Sequence, residues 1–205
     1  MRRTSALLSC TLALAGCSSS AIRTYSDPAM GVRTIGTIAV LPLQNAPFAN
    51  GESIRVNREV AQTVSRANPG IVIVGPVEAV QKLNEHNLVD DYDRYLVTLA
   101  QSGIANAGIL ARIGDALGAD ALMQGAFLGF GRQNGYGYAG SRLAVRYSLV
   151  STVDGTVLWE TTAELRNEAG PFSAAPTLED VLPEAIRSVL ASMPKLPPLS
   201  ARRRD

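Results

Sequence analysis

Cysteine, histidine and aromatic side chains are all scarce in this chain of 205 residues: two cysteines, one histidine and 5% Phe, Trp and Tyr together. Of the cysteines, Cys10 lies within an amino-terminal segment that reads as a removable signal, which leaves Cys17 alone in the mature chain. Structural zinc centres, internal disulfides and Cys–His catalysis need more of these residues than remain. Charge has no dominant sign: 19 Lys and Arg face 18 Asp and Glu, for a formal charge of +1. Loss of Arg2 and Arg3 with the signal takes that charge from +1 to −1, so a nucleic-acid partner has no electrostatic basis. Long hydrophobic runs are missing too. The main one, Ala6 to Ala15, is about half the roughly 20 residues a bilayer-spanning helix requires. What the chain does have is 46% hydrophobic residues against 18% charged, enough for an ordinary core, which excludes global disorder.

Arg2 and Arg3, the apolar run and the small residues after it form a secretory signal. Its end, Leu14-Ala15-Gly16-Cys17, resembles the lipobox of bacterial lipoproteins, whose cysteine is diacylated and becomes the new amino terminus. Cleavage after residue 16 removes 16 residues of 205 and leaves 189. The competing reading is an ordinary cleavage site that leaves Cys17 as a free thiol, an oxidation liability in an exported protein. Acyl chains contribute about 0.8 kcal/mol per buried CH2, and several chains anchor stably where one does not. The expected cofactor inventory is therefore empty apart from a covalent lipid on Cys17, and the bilayer is the first expected partner. In lipoproteins of two-membrane bacteria an Asp after the cysteine retains the protein in the inner membrane. Ser18 stands there, and the resemblance implies the outer membrane, facing the periplasm. Residues 17–33 are expected to be the lipidated cysteine and a flexible tether, because Ser18 to Asp27 is small and polar.

Beyond the tether, residues 34–193 read as one α/β domain and 194–205 as a Pro- and Arg-rich tail. Thr34 to Leu43 is a short apolar run, stopped by Pro42, with the character of a buried strand. Val56, Val60 and Val64 recur at i, i+4, i+8 and stripe a helix over Glu52 to Ala67. Ile71 to Val74 is a second buried strand, and strand–helix–strand over so few residues implies parallel pairing. Helical patterns continue from Pro76, from Asp90 and from Ala105 to Leu117, where Gly118 stops the last. The period then changes. Ala121 to Phe130, Arg142 to Val150 and Val157 to Leu165 read as three strands of an antiparallel meander, the last two joined by Val153-Asp154-Gly155-Thr156. Thr177, with Asp180 three residues on, caps a closing helix. The order is β-α-β-α-α-β-β-β-α, a mixed sheet with helices packed on it.

IAVLPL (38–43), IVIVGP (71–76), LARIGDALGADALMQGAF (110–127) and DGTVLWE (154–160) together resemble the α/β domain of periplasmic lipoproteins. The CsgG family of curli-secretion lipoproteins, the LpoB-type activators of penicillin-binding proteins and the amino-terminal domain of TolB share that domain. The physics of the most specific stretch is architectural: Gly118 takes the left-handed conformation, Asp120 satisfies backbone donors at the turn, and Gly125 permits close approach of a neighbour. A CsgG-type pore also needs a pair of roughly ten-residue strands with lipid-facing alternation. The sequence offers no such pair to spare, with Arg142 and Arg146 on one face of its clearest alternating strand, so a monomeric or accessory lipoprotein is the expectation, homo-oligomerisation remaining open.

Gly135, Gly137 and Gly140 spell a literal GxGxxG, but a strand follows where a dinucleotide site needs a helix. The stretch from Gly131 to Gly140 is expected to be a flexible hairpin loop, or a partner-contacting loop through Tyr136 and Tyr138 with Arg142 beside them. Asp90, Asp91 and Asp93 lack calcium-loop spacing and suit a helix's first turn. His86 is isolated near a helix end. No metal ligands and no catalytic residues are expected, and the chain is not expected to be an enzyme. The functional expectation is a non-catalytic accessory factor that binds a protein partner in envelope assembly or secretion. The alternatives are an LpoB-like activator of a peptidoglycan synthase, a subunit of a CsgG-like export complex, and an envelope hydrolase with an unrecognised site.

Overall fold

Ile38, Ala39 and Val40 are buried on both faces of a short strand, and the sheet is built outward from them. The computed structural model describes residues 18–47, 50–135, 138–169 and 173–196. The strands are β1 (Ser18–Ser26), β2 (Thr37–Val40), β3 (Val72–Val74), β4 (Ala121–Gly135), β5 (Tyr138–Ser151) and β6 (Val157–Ala169). The helices are α1 (Asn50–Ala67), α2 (Pro76–Glu85), α3 (Val89–Ser102), α4 (Ala107–Leu117) and α5 (Leu178–Ala191). One six-stranded sheet runs β1-β6-β5-β4-β2-β3. β2 pairs parallel with β3 and β4, and β4, β5 and β6 form the expected antiparallel meander.

The helices divide between the faces. Val56, Val60 and Val64 of α1 and the Val181–Leu182–Ala185–Ile186 face of α5 close a core over Leu143, Val145, Tyr147 and Trp159. On the other face α2, α3 and α4 pack Leu83, Tyr95, Leu110 and Ile113 against Ala39, Leu41 and Leu122. Trp159 is fully buried and fills core. α5 begins as expected: the Asp180 carboxylate accepts from both the Thr177 backbone N–H (2.8 Å) and its hydroxyl (2.7 Å). The stretch between β3 and β4 resolves into three helices.

Three expectations change. Residues 18–26 are no flexible tether: they are β1, paired antiparallel with β6 from Ser18↔Asn167 to Ser26↔Trp159. A polar strand has little local signal, and this one is specified by the β6 edge it covers. Pro28–Gly31 then makes a 3-10 turn, and the Arg33 guanidinium donates to both Asp154 oxygens at 3.0 and 2.8 Å, which clamps the segment to the β5–β6 turn. Second, the stretch from Gly131 to Gly140 is ladder rather than loop in all its described residues. β4 and β5 pair from Ala121↔Ser151 out to Gly135↔Tyr138, making strands of 15 and 14 residues where a pair of that length was not expected. Third, the tail does not leave the domain at Pro194. Leu196 is buried and its backbone N–H donates to Asn68 Oδ1 at 3.0 Å. Residues 197–205 lie outside the described residues.

Candidate functional site

Alternation along β5 sends Leu143, Val145, Tyr147 and Leu149 under α5, and therefore sends Arg142, Ala144, Arg146 and Ser148 to the opposite face. Register extends this second face across the sheet. Arg166 lies opposite Arg142, Glu164 opposite Ala144, Thr162 opposite Arg146 and Glu160 opposite Ser148. On β1, Arg23 stands opposite Thr162 and Tyr25 opposite Glu160. Arg142, Arg146 and Arg166 are exposed here, so the helices of this side leave the outer half of the meander open. At its centre Glu164 accepts from Arg142 at 2.7 Å and from Arg166 at 3.0 Å, and the two guanidiniums hold its carboxyl below the usual carboxylate range. Leu128, at a bulge between Phe127 and Gly129, is half exposed beside this cluster. With Phe130, Arg142 and Arg166 it lines a shallow concavity of ≈ 560 Å³.

A second cleft, ≈ 710 Å³, opens where α3 meets this face, lined by Gln44, Asn45, Gln124, Arg146, Ser148 and Glu160. Two of these side chains, Gln44 and Gln124, bond to buried tyrosines of α3. Gln44 Nε2 donates to the Tyr92 hydroxyl at 3.4 Å, and Gln124 Nε2 donates to the Tyr95 hydroxyl at 3.1 Å. The two rings stack at 6.2 Å, and burial pushes both phenols above their ordinary range. Asn45 holds φ +56°, a left-handed conformation that Asn tolerates better than most residues. Amide, hydroxyl, guanidinium and carboxylate groups converge here, a set suited to hydrogen-bonded recognition. Among the described residues no three of His, Cys, Asp and Glu gather closely enough to hold a metal ion.

The structure places the residues singled out from sequence as follows. Leu14, Ala15, Gly16 and Cys17 precede the described residues, and Tyr136 lies outside them. Tyr138 opens β5 opposite Gly135. Arg142 sits on the open face, bound to Glu164 rather than in a loop. Asp90 and Asp91 occupy the first turn of α3, and Asp91 is consumed by Arg112 (2.8 Å) and Arg94 (3.4 Å). His86 caps the end of α2. Asp120 does satisfy backbone donors, but distant ones: its Oδ2 accepts from Gly36 at 2.7 Å and Thr37 at 3.0 Å, which ties the start of β4 to β2. Gln44, Asn45, Glu160 and Glu164 were not anticipated. The available cue was Gln124, a lone amide in an otherwise apolar run.

No protein-family model and no curated sequence matches the chain. Solved structures do. A single-substitution form of the PelC dodecamer from Paraburkholderia phytofirmans is 16% identical, covers 84% of this chain and 96% of its own, and has a TM-score of 0.50. Lipoprotein GNA1162 from Neisseria meningitidis is 19% identical over 76% of this chain and 96% of its own, with a TM-score of 0.45. The LpoB C-terminal domain from Salmonella enterica is 15% identical over 64% of this chain and 84% of its own, with a TM-score of 0.37. At such identities the likeness is one of fold: the chain carries the mixed α/β architecture seen in PelC.

Proposed function

We propose that this chain is a non-catalytic lipoprotein of the bacterial envelope, anchored through Cys17 to the periplasmic face of the outer membrane and binding a protein partner through the open face of β4, β5, β6 and β1. The observation that carries the proposal is the lipobox-like Leu14-Ala15-Gly16-Cys17, which ends one residue before the sheet begins. Anchoring confines the domain to a surface and raises its effective concentration for partners there. The open face supplies the recognition chemistry: paired Arg and Glu side chains beside a polar cleft, with Leu128 as an apolar contact. Metabolic labelling with an alkyne fatty acid tests the anchor. The wild-type chain takes up label and sediments with membranes, whereas Cys17→Ser does neither; equal labelling of both removes the proposal.

Self-association is a second reading, favoured by one observation: the PelC structure with the shared fold is a dodecamer. The mass of the detergent-extracted, lipidated chain decides it, and a monomer rules it out. Activation of a peptidoglycan synthase is the reading specific to the LpoB resemblance. It requires that the Cys17→Ser chain raise the rate of a penicillin-binding protein in vitro. An envelope hydrolase would instead show turnover on an envelope substrate that is lost on substitution within the cleft, at Glu160 or Arg146.

A further inference from the structure

The cleft beside α3 takes its sheet residues from two neighbouring rows of one face, and the register fixes how they lie. Gln124, Ser148, Glu160 and Tyr25 stand in one row across β4, β5, β6 and β1. Two residues along the strands, the next row is Ala126, Arg146, Thr162 and Arg23. Adjacent strands lie about 4.8 Å apart and same-face residues about 6.6 Å apart along a strand, so Arg146 and Glu160 are diagonal neighbours. Both line the cleft, yet neither has an ion-pair partner among the described residues. Arg23, the other diagonal neighbour of Glu160, is not part of the lining, and Glu164 beyond Thr162 is already held by Arg142 and Arg166. The lining therefore carries one charge of each sign, and both are free. Ser148, between them in the register, is only 9% exposed, and its hydroxyl has no partner among the described residues.

These groups select a dipolar ligand. An anion alone would pair with Arg146 but face the Glu160 carboxylate, and a cation alone would face the Arg146 guanidinium. A molecule with a carboxylate and an ammonium a few ångströms apart meets both: the planar guanidinium takes the carboxylate through two N–H donors, and Glu160 accepts from the ammonium. The Ser148 hydroxyl can donate to the first or accept from the second. Leu96 and Leu99 of α3, with Val157, add an aliphatic wall to the same cleft. Its ≈ 710 Å³ falls within the roughly 300–1,000 Å³ of small-molecule sites. We infer that this cleft is a binding site for a small zwitterion, an aliphatic α-amino acid or dipeptide, whose carboxylate pairs with Arg146, whose ammonium pairs with Glu160, and whose side chain lies against Leu96, Leu99 and Val157. The site goes beyond the protein-partner role proposed above and does not depend on lipidation of Cys17.

The test is equilibrium dialysis of the purified full chain against radiolabelled leucine and, separately, radiolabelled leucyl-alanine. Expected is saturable retention of at least one probe, displaced by the same compound unlabelled but not by N-acetyl-leucine or leucinamide, each of which lacks one charge. The more tightly held probe tells the free amino acid from the dipeptide. Arg146→Gln and Glu160→Gln should each weaken retention about tenfold or more, because each removes one charge-assisted contact. Arg146 is exposed and Glu160 half-exposed, so both variants should melt with the wild-type chain, which separates lost binding from lost folding. Retention of neither probe overturns the site. Displacement by N-acetyl-leucine or leucinamide as effective as by the zwitterion, or retention unchanged in both variants, overturns the roles assigned to Arg146 and Glu160. The Cys17 anchor stands or falls separately, by the labelling experiment above.

Discussion

Gly125→Ala is a one-carbon change whose effect is predicted to reverse sign with the identity of one neighbour. Gly125 lies opposite Tyr147 in the β4–β5 ladder. A Cβ there would stand 2.5 Å from Tyr147 Cε1 and 2.8 Å from Leu43 Cδ1, against the roughly 3.5–4.0 Å of a comfortable carbon contact. Leu43 can turn its methyl aside. The Tyr147 ring is buried in the core that α5 covers and is less free to move. Overpacking of this kind costs about 1–3 kcal/mol, and each kcal/mol lowers Tm by about 2–4 °C at this size. Tyr147→Ala alone opens a cavity, at about 3–5 kcal/mol by analogy with other aromatic truncations. In that background the Gly125→Ala methyl fills part of the hole and returns about 0.8 kcal/mol. The coupling between the two substitutions is then about 2–4 kcal/mol. Urea unfolding of the four Cys17→Ser chains of the cycle, followed by the fluorescence of the single buried Trp159, measures it. Equal costs of Gly125→Ala in the two backgrounds, or no cost in the first, would refute the assigned close approach.

Other outcomes follow from the same geometry. The Tyr147 hydroxyl is buried with no hydrogen-bond partner among the described residues, so Tyr147→Phe should leave the urea midpoint unchanged or raise it, the gain being at most about 1–3 kcal/mol. Arg33 holds the Asp154 carboxyl well below its ordinary 3.8, so the ionised pair's contribution is full above that pH and is lost progressively as pH falls below it toward the depressed folded value. The pair is partly exposed, so Asp154→Asn should cost about 1 kcal/mol or less at neutral pH and flatten the acid limb of a stability–pH profile. Deleting residues 18–26 should lower Tm and promote aggregation by uncovering the β6 edge, whereas loss of a flexible tether would leave Tm unchanged in a melting curve.

Where periodicity carried information, the sequence was readable. Val56, Val60 and Val64 line one face of α1, the Thr177–Asp180 pair caps α5, and Leu143 to Leu149 alternates as β5 does. What escaped is specified by partners far along the chain. β1 offers one large aliphatic residue, Ile22, and is held by the ladder to β6 and by the Thr24–Thr161 hydroxyl contact at 2.9 Å. The outer part of the β4–β5 hairpin is Gly, Asn and Gln, loop-like in composition, yet Ala139 to Ser141 find Ala169 to Asn167 alongside. The open face was half legible. Arg142 and Arg146 stand out in the alternation, but Glu164, Arg166 and Glu160 join them only through the β5–β6 register, and Gln44 and Asn45 only through the packing of α3.

The proposed envelope role stands on lipidation of Cys17, and intact-mass analysis of the mature chain purified from its native membrane tests it most directly. The predicted species begins at Cys17 and carries acyl chains, part of the added mass being released by ester hydrolysis. A mature chain cleaved elsewhere, or one that begins at an unmodified Cys17, would contradict the account.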